Sequence, residues 1–282
     1  DFSKTSEQDN NNGVYMTTNT DSGIPVYYYR GNVDNRVIFA NKCWRIIRTT
    51  ETGGVKLIYD GVPSNGQCNN TGGNSAIAKS AFNSSRDNAK YVGYMYGSSI
   101  DDTANTTDST IKTSIDTWYK NNMTNYTDKL EDTVFCSDRS YTTNGSTLNF
   151  VAKTRLGVNK TPTLKCENLK DRFTVDINNG NGNLTYPVAL ITADETAYAG
   201  AVLHSTNSTF YLKIGTWFVT MTPYDFTSSA PNVFYNGGSG HFNGADGGVY
   251  DASGSVRPVV SLKPGIAMTG GSGTATDPFI VG

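Results

Sequence analysis

The sequence predicts an α+β domain, on three observations. Short apolar runs recur between Gly- and Asn-bearing turns, the mark of strands. One segment, Asp108–Thr124, carries a sustained helical period. No linker or internal repeat divides the 282 residues, so one α+β domain over 23–282 is the simplest arrangement. The first 22 residues, with Asn10–Asn12 and Thr17–Asp21, lack periodicity and read as a polar leader.

Strands are predicted at Val26–Arg30, Arg36–Phe39, Cys43–Thr49 and Val55–Tyr59. Residues 61–108 are polar apart from Tyr91–Tyr96 and predict turns and short pieces. In the helical segment, Ile111, Ile115, Trp118 and Tyr119 fall on one face, with Ser109 or Thr110 to cap it. Leu130–Phe135 adds a short helical or extended piece, and Pro187–Ile191 reads as a buried strand. Thr192-Ala-Asp-Glu195 has the form of a capping box opening a short helix through Ala199. Further strands are predicted at Thr209–Leu212, Trp217–Met221, Asn232–Tyr235, Gly248–Tyr250, Val256–Leu262 and Phe279–Val281. Trp44, Trp118 and Trp217, each in an apolar-patterned element, are expected in the core.

Composition excludes several classes. The formal charge of −2 gives no electrostatic footprint for nucleic acid. No run approaches the roughly 18 apolar residues of a membrane span. Aromatics at 11% argue against disorder, while only 17% of residues are charged, so hydroxyl and amide groups keep the surface wet.

Four cysteines, Cys43, Cys68, Cys136 and Cys166, include no C-x-x-C pair, and only two His, His204 and His241, exist to help them hold a metal. An even count in a polar chain favours disulfides over free buried thiols, and an oxidising compartment. Of three connectivities, the nearest-neighbour one pairs Cys43 with Cys68 and Cys136 with Cys166. The chain opens at Asp1 without a signal peptide, as a mature protein whose leader is already removed would. The expected location is extracellular or at the cell surface, anchored through a segment outside this chain.

Catalytic signatures are weak. Gly238-Ser239-Gly240-His241 has the wrong spacing for a nucleophile elbow. The adjacent carboxylates Asp101/Asp102, Glu131/Asp132 and Asp194/Glu195 would point apart rather than face across a cleft. Asp194 and Glu195 already serve as first-turn acids of a helix. Asp176–Asn183 fails the calcium-loop pattern, and Gly237–Gly248 lacks the Lys and helix of a phosphate loop. No metal or other cofactor is expected. The candidate ligand residues are Tyr224, Asn232, Tyr235, Asn236, His241, Phe242, Asn243, Asp246, Tyr250 and Asp251. Tyr and Asn on loops combine large contact area with adaptable hydrogen bonds. The competing reading makes Phe242 core and the rest solvated loop.

Four segments in order carry a resemblance. They are Cys43–Ile47 with Gly54–Tyr59, the helix Ser109–Asn121 around Trp118, Pro187–Glu195, and Trp217–Pro223 followed by Val256–Leu262. The set resembles a domain family of bacterial, mostly Gram-positive, secreted surface proteins related to the C-type-lectin-like and formylglycine-generating-enzyme fold. The resemblance implies a C-type-lectin-like mixed fold with short antiparallel sheets, about two main helices, N-terminal strand additions and a ligand face between the Trp217 and Val256 strands. No cysteine follows Cys166, so formylglycine-generating activity is not implied, and the calcium- and sugar-binding tripeptides of animal lectins are missing.

The function expected is therefore a non-enzymatic surface binding module, an adhesin or receptor head. Its partner would be a protein or glycan on another cell or in the host, without nucleic acid or membrane insertion. The alternatives are a structural subunit of a pilus, sheath or cell-wall array, and a glycan or cell-wall hydrolase.

Overall fold

A two-residue turn makes the central hairpin of the N-terminal strands. At Ala40 and Asn41 both φ angles are positive, 53° and 55°, which gives the right-handed twist a tight hairpin needs. Arg36–Phe39 and Lys42–Thr49 therefore pair with Arg36 opposite Arg45 and Val37 opposite Trp44. In the computed structural model, which describes residues 12–228, 230–245 and 248–282, this hairpin is the centre of the first sheet. The order is Gly13–Thr17, Val26–Arg30, Lys42–Thr49, Arg36–Phe39, Phe279–Val281 and Met268–Gly270, while Val55–Tyr59 joins Lys42–Thr49 to Val259–Leu262.

A second sheet runs Tyr141–Asn144, Thr147–Phe150, Phe218–Thr227, Ala230–Asn236 and Phe242–Asn243, with Ser255–Val256 and Ala78–Lys79 added beside Phe218. Two connectors tie the sheets together. Val256 pairs with Ala78 in the second sheet, and Val259 pairs with Ile58 in the first. Between them Pro258 offers no backbone N–H, so the expected single strand Val256–Leu262 is split where it changes sheets. The segment 187–191 is fully buried from Val188 to Ile191, yet it is an extended connector rather than the expected strand. Ala189 bridges to Val259, and Ile191 accepts from the Met221 N–H at 3.0 Å.

The chain is α+β, mostly sheet, with few helices and two disulfides. The main helix spans Thr110–Asn122, capped by the Ser109 side chain, and buries Ile111, Ile115 and Tyr119. One hydrophobic cluster reaches from Val37, Trp44 and Leu57 in the first sheet to Phe218, Met221 and Phe234 in the second. Trp44 is fully buried, but Trp118 and Trp217 are only partly so, packed at the margin of this cluster. Trp118 meets Trp44 and Tyr59 edge-on at 6.3 and 5.4 Å.

Other expectations need correction. Residues 1–11 lie outside the described part, but Gly13–Thr17 is a strand antiparallel to Val26–Arg30, so the polar leader does not extend to residue 22. Thr209–Leu212 forms turns, because the Asn207 side chain accepts from the Thr209 N–H and hydroxyl at 2.9 and 2.8 Å. Gly248–Tyr250 makes only a single bridge to Asn232. The hairpin Tyr141–Phe150 is not among the expected elements, although its two-residue loop Gly145-Ser146, with the positive-φ glycine first, is a hairpin signal.

Candidate functional site

Strand alternation separates those expected ligand residues that lie along the second sheet into two sets. Tyr224, Asn232, Asn236 and Phe242 are buried and cannot meet a ligand directly. Phe242 stacks on Phe234 at 5.4 Å, Tyr224 meets Phe234 edge-on at 5.0 Å, and the Asn232 amide donates to Asp225 at 2.8 Å. These four belong to the support of the hairpin.

On the opposite parity Val219 and Val233 are buried, but toward the end of the hairpin the side chains become half-open. Tyr235 lies directly across from Asn243, and His241, two residues earlier, shares that side. The half-buried Trp217 packs edge-on against Tyr235 at 5.8 Å. Trp217, Tyr235, Asn243 and His241 thus form one aromatic and amide face, partly open to solvent. Gly254 presses on the Trp217 ring, where an added Cβ would come within 2.9 Å. His241 is steadied through Nδ1, 3.4 Å from the Thr206 hydroxyl. Tyr250 and Asp251 are exposed on a following turn: the Arg86 guanidinium covers the Tyr250 ring at 4.6 Å, and Asp251 accepts from Ser253. Asp246 lies outside the described residues.

A charged cleft of about 500 Å³ lies elsewhere. Its floor follows from a local rule. The capping box at Thr192 forms, with Glu195 Oε2 accepting the Thr192 N–H at 3.1 Å. The other carboxylate oxygen accepts from Arg48 Nε at 2.9 Å and Lys56 Nζ at 2.8 Å. Arg48 and Lys56 are direct cross-strand neighbours, so Glu195 bridges two like charges. Lys56 is completely buried, its ammonium 4.4 Å from the centre of the Phe135 ring. Burial lowers its pKa to about 8 despite Glu195, because that one carboxylate is shared with Arg48. Burial works against the Glu195 carboxylate as well, but its two cations outweigh it and hold its pKa at about 2.

The neighbouring acid faces away. Asp194 takes Arg155 in a fork, 2.9 Å from Nε and 2.5 Å from Nη2, and accepts the Thr163 N–H at 2.9 Å. Arg155 Nη2 also donates to Asp138 at 2.6 Å. Glu131 binds Thr50 and Thr52, whereas Asp132 caps the N–H groups of Val175 and Asp176. Adjacent carboxylates do point apart, and in this cleft each is engaged by a named partner.

The disulfides Cys43–Cys68 and Cys136–Cys166 both form, with Cα separations of 5.7 Å. Cys136 lines the charged cleft. Among the described residues no group of three or more His, Cys, Asp or Glu side chains is arranged to hold a metal ion, and no helix is long and apolar enough to cross a membrane. A scan against protein-family models and searches of curated proteins and solved structures find no match to this chain.

Proposed function

We propose that the chain is an extracellular binding module of C-type-lectin-like fold, an adhesin or receptor head, whose ligand face is the outer side of the second sheet. The observation that carries this reading is the row Trp217, Tyr235, Asn243 and His241, aromatic, amide and imidazole groups held half-open on strands and their ends. Rigid aromatics cost little entropy on binding and offer area, while amide and imidazole groups supply direction. The inward parity of Phe234, Asn236 and Phe242 anchors the hairpin, so the outer side chains can differ without altering the fold. The two disulfides fit an oxidising environment.

The test replaces Tyr235, His241 and Asn243 together by Ala, leaving the buried Asn236 in place. A glycan and protein array with the wild-type chain identifies the partner. The triple variant is expected to lose that partner while its melting temperature moves by only a few degrees. Retained affinity in the folded variant overturns this face. Polymerisation of the pure protein would favour a structural subunit instead, and release of product from glycans would favour a hydrolase.

A further inference from the structure

Another concavity, of about 450 Å³, lies beside the first sheet, and cations outnumber acids in its lining, the reverse of the charged cleft. Arg36, Arg45 and Lys213 line it, with Asp60 the one acid among its lining residues. Arg36 and Arg45 are direct cross-strand neighbours, a placement that like charges ordinarily avoid. Asp60 is already occupied: its Oδ1 accepts from Arg257 Nη2 at 3.1 Å beneath the pocket. Lys213 donates to the Ser208 carbonyl.

Arg45 is buried and fixed in plane. Its Nε donates to Asn35 Oδ1 at 2.5 Å, its Nη2 to the Val33 carbonyl at 3.0 Å, and its guanidinium lies 5.1 Å from the centre of the Tyr211 ring. Among the described residues its Nη1 has no acceptor, and the Arg36 Nε is shielded from solvent without one. Burial, with Arg36 adding to it and Asp60 and Tyr211 working against it, lowers the Arg45 pKa to about 10. In a chain with a net charge of −2, two cross-strand arginines lining one polar pocket are a local feature of the fold. Amides of Asn32 and Asn70 and hydroxyls of Thr71 and Thr209 complete its wall.

We propose that this pocket binds a small oxyanion, a carboxylate, sulfate or phosphate group, held between Arg36 and Arg45. The guanidinium plane matches the paired oxygens of such a group, and the bound charge offsets the repulsion between the two arginines. The surrounding amides and hydroxyls suit a hydroxylated carrier such as an acidic sugar. The site does not depend on the aromatic face, although Gly238, in the turn from Tyr235 to His241, also lines it.

The experiment titrates the wild-type chain with methyl β-glucuronide, acetate, sulfate and inorganic phosphate, with neutral methyl β-glucoside as control. The Nε–Hε signals of Arg36 and Arg45 are followed by NMR, and affinity is measured by calorimetry. Saturable shifts of both signals with the anions and none with the glucoside are expected. Tighter binding of the glucuronide than of acetate identifies a sugar-borne oxyanion; equal binding identifies a free one. Arg36→Gln should weaken binding at least tenfold, while the Tyr235, His241 and Asn243 triple variant binds the anion as the wild type does. Absence of saturable shifts in the wild-type chain overturns the proposal whatever the variants do, as does unchanged affinity in folded Arg36→Gln.

Discussion

Two cross-strand pairs of cations stand in the same sheet, Arg48 opposite Lys56 and Arg36 opposite Arg45. The first pair closes on Glu195, a carboxylate delivered by a capping box from the far side of the core. Among the described residues lining its pocket, the second has one acid, Asp60, which it shares with Arg257. The same local arrangement is a structural bracket in one place and lines a polar pocket in the other. What separates them is the supply of a carboxylate.

The largest test of that contrast is Glu195→Gln, which keeps the capping geometry and removes the charge. Leaving Lys56 and Arg48 unpaired should cost about 3–5 kcal/mol of stability by urea denaturation. Adding Lys56→Met should restore a good part of it. A single variant as stable as the wild type would dissolve the difference between the two pairs.

Each concavity also has its own crosslink. Opening either one by double Cys→Ser substitution should cost roughly 3–4 kcal/mol on the loop-entropy account. Loss of Cys43–Cys68 should in addition weaken oxyanion binding, because Asn70 and Thr71 follow Cys68 into the pocket wall. Loss of Cys136–Cys166 should leave that binding unchanged.

The pH dependence is smaller and one-sided. The Glu195 pKa is about 2 in the folded chain against an ordinary 4.5, so its contribution is fully present above about pH 4.5. It is lost as pH falls toward 2. Acid titration of the melting temperature should show a fall in that window that Glu195→Gln lacks.

The smallest effect has the opposite sign. Arg36→Gln removes one of two facing like charges, and stability should rise by up to about 1 kcal/mol. A clear loss would mean that Arg36 is a structural partner after all.

Much of this was written locally. Val26–Arg30, Arg36–Phe39, Val55–Tyr59 and Phe279–Val281 are strands over the residues their patterns predict. The Thr192 capping box forms where its pattern places it, and both disulfides follow the nearest-neighbour pairing favoured by the even count, the spacing and the lack of metal partners. Gly13–Thr17 escaped because its outward Val14 and Met16 are exposed, which blurs the alternation of an edge strand. The candidate face was half legible. Aromatic and amide density marked the segment, but sorting Tyr235 from Asn236 needs the partner strands that set inside from outside. The facing arginines needed the hairpin register, which rests on two positive-φ residues at Ala40 and Asn41 without a glycine to signal them. Glu195 was read as a helix cap, and nothing near it in sequence announces Lys56 or Arg48.

The first sheet is closed by strands from opposite ends of the chain: Val55–Tyr59 takes Val259–Leu262, and Arg36–Phe39 takes Phe279–Val281. Pairings so distant in sequence carry a large loop-closure cost and slow folding. On a ribosome, the hairpin at Ala40–Asn41 emerges roughly 200 residues before its outer partners, with the flanks of Arg36–Phe39 and Val55–Tyr59 open to any passing strand. The Cys43–Cys68 crosslink, by contrast, lies wholly within the early part of the chain. It can form while those edges wait, fixing one side of the young sheet before the last strands arrive.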